Sequence, residues 1–194
     1  MQDPRTALLS LLIKLSYREG HFTLASGATS DYYIDCRATT LSAEGARLTG
    51  RIVLDTIRQQ GWKADAIGGM TLGADPIVIS VALLSAQDTS GTPIDGFLVR
   101  KAEKQHGTQR RIEGFLRPAA NVVVVDDVCT TGGSTIQAIE ATREVGMQVS
   151  GVICLVEREA SGMENIRAAV PGVPVLSMFR VQDLRDHLRK SGQS

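Results

Sequence analysis

One segment of fourteen residues, Val122 to Thr135, limits the possible folds of this chain more than any other part of the sequence. It begins with four valines, and a strand that is apolar on both faces is typical of a parallel sheet covered by helices on both sides. Two adjacent aspartates, Asp126 and Asp127, follow the valines, and a run of threonines and glycines then leads into a predicted helix. The segment therefore predicts a central strand that ends in a polar loop at a helix N-terminus.

Strands alternate with helices along the rest of the chain, which predicts an α/β fold with a largely parallel sheet. The predicted strands are two short ones within 22–37, around a turn at Ser26–Asp31, and then Ala64–Ile67, Asp95–Arg100, Asn121–Val125, Val149–Val156 and Val173–Met178. The predicted helices run from Pro4 to a stop at Gly20, from Ser42 to Gly61, and over Pro76–Ala86, Ser134–Val145 and Val181–Lys190. The length of 194 residues suits a single domain, 1–194.

The composition argues against several classes of protein. Lysine plus arginine and aspartate plus glutamate each total 21, so the chain lacks the basic excess of a protein that grips nucleic acid or an anionic membrane. No apolar stretch reaches the roughly 18 residues of a membrane span. The three cysteines, Cys36, Cys129 and Cys154, form no CxxC pair and favour a reducing compartment. We therefore expect a cytoplasmic protein with neither nucleic acid nor membrane as a partner.

The polar part of the fourteen-residue segment indicates two kinds of ligand group. Glycines let the backbone approach a ligand closely, and the N–H groups of a helix N-terminus bind phosphate. The hydroxyls of Thr130, Thr131, Ser134 and Thr135 can donate further hydrogen bonds. The aspartates instead suit hydroxyl groups or a hard cation such as Mg²⁺. A phosphorylated sugar with a free diol satisfies both ends, whereas the spacings of a Walker A loop and of GxGxxG are absent.

The segment resembles the binding signature for 5-phosphoribosyl 1-diphosphate (PRPP) in type I phosphoribosyltransferases. The resemblance implies that family's fold, a mostly parallel central sheet flanked by helices, with a small N-terminal hood. It implies that residues 1–40 and the C-terminal part contribute the hood that binds the base. It also implies that Asp126 and Asp127 hold the ribose hydroxyls, with Asp127 acting in catalysis, and that the loop wraps the 5′-phosphate. The implied PRPP-binding residues of the segment are Asp126, Asp127, Val128, Cys129, Thr130, Thr131, Gly132, Gly133 and Ser134.

Two further segments resemble orotate phosphoribosyltransferases and concern the base. Residues 22–35 are similar to that family's N-terminal segment, which implies that Tyr33 and Ile34 form the wall of the orotate site, while Tyr32 is expected to fill core. Arg158 follows a strand where the family carries an arginine that pairs with the orotate carboxylate, and a guanidinium suits that group. Thr130 is implied to contact orotate as well.

A third segment, 100–117, carries a local excess of positive charge and predicts a loop between two strands. Its start resembles the family's catalytic loop, which implies that Arg100, Lys101, Lys104 and His106 bind PRPP, with Lys104 catalytic. Positive charge and hydrogen-bond donors suit a departing pyrophosphate. In the family this loop enters the partner subunit's site, so the resemblance also implies a homodimer with shared active sites.

Together these segments imply transfer of ribose 5-phosphate from PRPP to orotate, yielding orotidine 5′-monophosphate and pyrophosphate in the de novo synthesis of UMP. Mg²⁺ is the implied cofactor, held mainly through PRPP, with contact to Asp126 and Asp127 through water. The chain departs from the family at Ala25 and Leu72, near which family members carry lysines, so backbone N–H groups around Thr71 to Gly73 are expected to hold diphosphate. Two alternatives stay open at this stage, a phosphoribosyltransferase for another base and a PRPP-binding regulator.

Overall fold

A six-stranded, mostly parallel sheet with helices on both faces dominates the structure, a computed structural model that describes residues 3–23, 27, 29–89, 91–101 and 111–191. The strands are β1 (Tyr17–Thr23), β2 (Thr29–Ile34), β3 (Ala66–Met70), β4 (Asp95–Val99), β5 (Ile112–Gly114), β6 (Asn121–Cys129), β7 (Gln148–Glu157) and β8 (Val175–Arg180). The helices are α1 (Pro4–Leu11), α2 (Arg37–Thr40), α3 (Ala43–Gln59), α4 (Asp75–Gln87), α5 (Gly133–Glu144), α6 (Ala160–Ala169) and α7 (Val181–Ser191), with a π-helical turn, Leu12–Ser16, after α1. The predicted α/β class is confirmed.

The order of strands in the large sheet fixes where a ligand can bind. The order is β5-β4-β3-β6-β7-β8, and all neighbours pair in parallel except β4 and β5. From β3 the chain moves outward to β4, and from β6 it moves outward in the opposite direction to β7. The direction of winding therefore reverses between β3 and β6, and open α/β sheets bind ligands beyond the carboxyl ends of the strands at such a switch point.

The four valines of β6 serve both faces of the sheet, as their continuous apolar run predicts. Val123 and Val125 pack into the core on one side, with Leu54 of α3 and Ile77 of α4. Val122 and Val124 pack into the other core, which also holds Ile139 of α5 and Ile166 of α6. A strand buried on both faces is held firmly, so its carboxyl end is a rigid support for a site.

The antiparallel pair β1 and β2 forms a separate two-stranded sheet, which we call the hood. The Tyr17 and Tyr32 rings stack within it, with their centroids 5.7 Å apart. Arg185 of α7 ties the hood to the C-terminal helix, because it forms an ion pair with Asp31 and donates a hydrogen bond to the Tyr17 hydroxyl. The N-terminal and C-terminal parts of the chain thus meet at one place.

Several predicted boundaries are wrong because pairing between distant segments overrides local pattern. The first helical segment ends at Ser16 rather than at Gly20, since β1 begins at Tyr17 and pairs with Ile34. Strand β3 continues through Gly68 and Gly69 to Met70, because it pairs with β4 along that whole length.

Strand β6 continues through both aspartates to Cys129, where β7 still pairs with it, whereas the sequence pattern predicts its end at Val125. Three elements lack a sequence prediction, helices α2 and α6 and strand β5, and β5 pairs antiparallel with β4 inside the basic segment. In the part of the chain that the structure describes, no helix has the length and apolar character needed to cross a bilayer.

We expect Gly69→Ala to destabilise the fold by about 3 kcal/mol, as overpacking of a tight site does. A Cβ atom on Gly69 would lie 2.0 Å from the carbonyl oxygen of Val125, so β3 and β6 would have to separate. Gly133→Ala is the matched control, because its Cβ would meet nothing nearer than 3.6 Å. Urea unfolding of both variants and of the wild type measures the difference, and equal stabilities would contradict this account of the contact between β3 and β6.

Candidate active site

A cavity of about 270 Å³ opens beyond the carboxyl ends of β3 and β6, at the switch point of the sheet. Its walls come from the hood, from the segment that follows β3, and from β6 and α5. The lining residues are Tyr33, Ile34, Asp35, Arg37, Met70, Thr71, Leu72, Gly73, Lys101, Asp126, Asp127, Val128 and Ser134. The cavity thus brings together residues that lie up to about a hundred positions apart in the sequence.

Asp126 is the most deeply buried acidic side chain of this cavity, with 6% of its surface exposed. One carboxylate oxygen accepts a hydrogen bond from the Thr135 hydroxyl at 2.7 Å, and the other accepts one from the backbone N–H of Asp127 at 3.0 Å. Burial nevertheless raises the pKa of Asp126 to about 6, because these two donors offset only part of the lost hydration. The two hydrogen bonds therefore fix the orientation of the carboxylate, and its burial lowers the stability of the fold when it is ionised.

Asp127 lies beside Asp126 and is less enclosed. Its Oδ1 accepts a hydrogen bond from the backbone N–H of Val128 at 3.0 Å. Burial raises its pKa, and the positive charge of Arg37 partly opposes that rise. A Cβ atom on Gly73 would lie 2.2 Å from Oδ1 of Asp127, so glycine at this position lets the segment after β3 approach the carboxylate closely.

The loop from β6 into α5 has the features of an anion site. Gly132, at the start of α5, has φ +79°, and a Cβ atom there would lie 2.7 Å from the carbonyl oxygen of Gly162. Among the described residues no side chain caps the N-terminus of α5, so its first N–H groups are available to a ligand. Ser134, in the first turn, lines the cavity.

The other residues of the predicted phosphate loop differ in whether they line the cavity, are buried in the core or are exposed to solvent. Val128 lines the cavity, whereas the Cys129 thiol is buried in the core. The backbone carbonyl of Cys129 accepts the N–H of Arg158 at 2.8 Å, so this residue links the loop to the end of β7. The carbonyl of Thr131 accepts a hydrogen bond from the side-chain amide of Asn165, and Thr131 itself is exposed. Thr130 is partly exposed between them, and Gly133 is the first residue of α5.

The predicted base-binding residues divide between two cavities. Tyr33 and Ile34 line the main cavity, and the Tyr33 side chain is exposed. Arg158 lines a neighbouring cavity of about 290 Å³ with Tyr32, and its guanidinium carbon lies 5.1 Å from the centroid of the Tyr32 ring. Arg158 also donates to the Ser30 hydroxyl at 3.5 Å. Among the described residues Arg158 and Tyr33 therefore line different cavities, and Tyr32 makes a cation–π contact.

The basic segment is described only in part. Lys101 lines the main cavity, whereas Arg100 forms an ion pair with Glu113 at 3.5 Å. The predicted residues Lys104 and His106 lie outside the described residues, as does Ala25.

Two side chains of the cavity wall, Asp35 and Arg37, were not predicted to take part in the site. They follow β2 directly and form an ion pair with an N–O distance of 2.8 Å. The available sequence signal is weak, since it consists only of opposite charges two residues apart after a strand with an alternating pattern. Met70 was missed as well, because β3 was expected to end before it.

Comparison with known proteins gives one consistent family. Residues 46–174 match the family model described as the phosphoribosyl transferase domain. The orotate phosphoribosyltransferase of Thermosynechococcus vestitus is 42% identical over 192 residues, which are 98% of this chain and 98% of that protein. The crystal structure of Mycobacterium tuberculosis H37Rv orotate phosphoribosyltransferase in complex with Fe(III) dicitrate is similar, with a TM-score of 0.80 and 38% identity. That alignment covers 94% of this chain and 99% of the other.

The same Mycobacterium tuberculosis protein has also been solved in complex with PRPP. That structure matches this chain with a TM-score of 0.73 and 31% identity, and the alignment covers 95% of this chain and 93% of the other.

We expect Asp126→Asn to be more stable than the wild type at pH 8 by about 2 to 3 kcal/mol. The pKa of Asp126 is raised to about 6 in the folded state from its ordinary value of 3.8, so the carboxylate costs stability wherever it is ionised. Wild-type stability should therefore fall as pH rises from about 4 to about 6, and the advantage of the variant should vanish near pH 4. An asparagine amide can donate to Thr135 while its oxygen keeps the bond from Asp127.

Urea unfolding at pH 4 and at pH 8 checks this prediction. Asp95→Asn, at an exposed position on β4, is the control and should change stability little at either pH. A variant at Asp126 that is less stable than the wild type at pH 8 would contradict a net cost for the buried carboxylate.

Proposed function

Because the chain belongs to the orotate phosphoribosyltransferase family, we propose that it transfers the 5-phosphoribosyl group of PRPP to N1 of orotate in the de novo synthesis of pyrimidine nucleotides. The bond between C1′ and the diphosphate breaks, and its electron pair leaves with pyrophosphate. A bond from N1 of orotate to C1′ replaces it, the N1 proton is released to pyrophosphate or solvent, and orotidine 5′-monophosphate results. The curated relatives do not favour the alternatives of a regulator or of another base.

The roles of the residues that line the main cavity are assigned from one observation. The aspartate pair and the N-terminus of α5, which no described side chain caps, meet at a single cavity, so one face accepts hydrogen bonds and the other suits an anion. PRPP carries a ribose diol next to a 5′-phosphate, which matches these two faces. We assign the diol to Asp126 and Asp127, and the 5′-phosphate to the loop Thr130–Ser134, where backbone N–H groups and hydroxyls supply donors. Asp127, the more accessible carboxylate, is the one next to the reacting carbon.

Mg²⁺ is the proposed cofactor, and when bound it supplies positive charge to the leaving diphosphate. Among the described residues, no three histidine, cysteine, aspartate or glutamate side chains cluster in a way that could hold a metal ion. Both oxygens of Asp126 already accept hydrogen bonds. The two hydrogen bonds to Asp126 fit an ion that would be held mainly by oxygens of PRPP and that Asp126 and Asp127 would contact through water.

Arg158 is the proposed partner of the orotate carboxylate. Among the described residues it forms no ion pair, since the neighbouring Glu157 accepts from Ser177 and pairs with Arg180 instead. A guanidinium without an acidic partner is suited to bidentate binding of a ligand carboxylate. Tyr33 and Ile34 supply the wall against which the base packs, and Thr130, the first residue of the phosphate loop, contacts orotate as well. Because Arg158 lies in the neighbouring cavity, it would have to turn toward the main cavity when orotate binds.

We further propose a homodimer in which α4 forms part of the interface. Helix α4 is apolar on all sides, and such helices are normally buried. Yet Ile79 and Leu83, one turn apart on its outer face, are 64% and 58% exposed. Leu72, which precedes α4, is 67% exposed and also lines the main cavity, so a second copy packed on this face would adjoin the site. This placement supports sharing of the basic segment, including Lys104 and His106, between subunits.

A cytoplasmic location is also part of the proposal. All three cysteines are free thiols buried in the structure, which suits a reducing compartment.

The proposed reaction predicts that orotate is consumed only when PRPP and Mg²⁺ are both present, as followed by its ultraviolet absorbance. Parallel reactions with uracil, adenine, guanine and hypoxanthine, followed by pyrophosphate release, should be silent. Arg158→Gln should raise the KM for orotate about tenfold or more, since a charge-assisted hydrogen bond is lost, and should change the KM for PRPP little. Turnover of a neutral base alone would overturn the choice of orotate, and PRPP binding without any turnover would favour the regulator.

The proposed dimer predicts that Ile79→Lys combined with Leu83→Glu converts the protein to a monomer, because two charges would be buried at the interface. Sedimentation velocity measures the change, and activity per chain should fall if the sites are shared. Leu116→Glu, at another exposed leucine, is the matched control and should leave the assembly unchanged. A wild-type protein that sediments as a monomer at micromolar concentration would overturn the dimer.

A further inference from the structure

The main cavity is rich in carboxylates although its proposed substrate is an anion. Asp35, Asp126 and Asp127 all line it, and each disfavours a bound diphosphate through charge repulsion. In the part of the chain that the structure describes, only Arg37 and Lys101 line it as cations. The affinity for an anionic substrate therefore depends on which of its groups these two cations contact.

The proposed positions of the other groups of PRPP leave one wall for the diphosphate. The 5′-phosphate is assigned to the N-terminus of α5, and the ribose diol to Asp126 and Asp127. The wall that remains is formed by the segment Thr71–Gly73 and the residues that follow β2, while Lys101, which also lines the cavity, comes from the segment that follows β4. Thr71, Leu72 and Gly73 carry no positive charge, so this wall depends on its other member, Arg37, for a cation.

Arg37 is oriented by its neighbour Asp35. Its Nε and Nη2 atoms each donate to an Asp35 oxygen at 2.8 Å, and its backbone N–H donates to Oδ1 at 3.1 Å. A guanidinium has five N–H groups, so these two side-chain bonds leave three for another acceptor. Arg37 also acts electrostatically on Asp127, whose pKa its charge lowers. The side chain is thus held at the cavity, close to the reacting end of the substrate, with donors to spare.

We propose that Arg37 binds the diphosphate of PRPP through its remaining N–H groups and that Asp35 holds it in position for this contact. The inference rests on the proposed function and adds a substrate-binding residue to it. It also accounts for a segment after β3 without a lysine, because the first residue of α2 supplies the cation instead. A surface ion pair of similar geometry, Arg47 with Glu44, lies on α3 and is not among the residues that line the main cavity, so it provides a comparison within the same chain.

The test compares Arg37→Met and Arg37→Lys with the control Arg47→Met. Isothermal titration calorimetry measures binding of inorganic pyrophosphate and of ribose 5-phosphate, each with Mg²⁺, and steady-state kinetics give the KM for PRPP and for orotate. We expect Arg37→Met to weaken pyrophosphate binding and to raise the KM for PRPP by about tenfold or more, the loss typical of a hydrogen bond to a charged group. Arg37→Lys should bind pyrophosphate more tightly than Arg37→Met, because lysine keeps the positive charge. It should bind more weakly than the wild type, because lysine lacks the planar set of N–H donors of a guanidinium.

The remaining readouts separate binding of diphosphate from an indirect effect. Binding of ribose 5-phosphate and the KM for orotate should stay within twofold of the wild type in Arg37→Met, and Arg47→Met should change nothing. Equal loss of pyrophosphate and ribose 5-phosphate binding would overturn the inference, since Arg37 would then act only through Asp127 or the fold. Unchanged pyrophosphate binding would overturn it as well, while a wild type that neither binds PRPP nor turns it over would overturn the proposed function itself.

Discussion

Burial of two adjacent carboxylates at the end of the central strand is the constraint on which the rest of the site depends. A carboxylate loses much of its hydration there, and the raised pKa of Asp126 shows that its two hydrogen bonds do not fully compensate. The surrounding structure has to supply that energy. It does so with a strand whose four valines are buried on both faces, so that the aspartates are carried by the most firmly packed part of the sheet. The buried carboxylate lowers the stability of the fold, and it provides hydrogen-bond acceptors in a fixed orientation.

The same constraint explains the glycines around the site. Gly69 lets β3 approach β6 at the level of Val125, and Gly73 lets the next segment contact Asp127. Gly132 turns the chain into α5 with a positive φ, against the carbonyl of Gly162. A side chain at any of these positions would move backbone that lines the cavity. The close approach of three separate segments is therefore what makes a small cavity around the aspartates possible.

The sequence predicts those parts of the candidate site that are formed by residues adjacent in the chain. The run of valines, the aspartates and the loop into α5 were interpretable because strand, acceptors and anion site follow each other within fourteen residues. The parts formed by pairing between distant segments were not predictable in the same way. The end of the first helix at Ser16 depends on pairing of Tyr17 with Ile34, and the place of Arg37 depends on where the hood rests on the sheet. Local periodicity contains no information about either contact.

Tyr32 shows why such contacts matter for function. Its alternation with Tyr33 predicts that one ring faces the core and the other the ligand, yet Tyr32 also lies within 5.1 Å of Arg158 and 4.8 Å of Arg185, measured from ring centroid to guanidinium carbon. These arginines come from the end of β7 and from α7, so the hood, the sheet and the C-terminal helix meet at one ring. Movement of the hood would therefore change the surroundings of Arg158 and the wall formed by Tyr33 together. Arg158 and Tyr33, the proposed base-binding residues, are thus linked through the hood, although they lie far apart in the sequence.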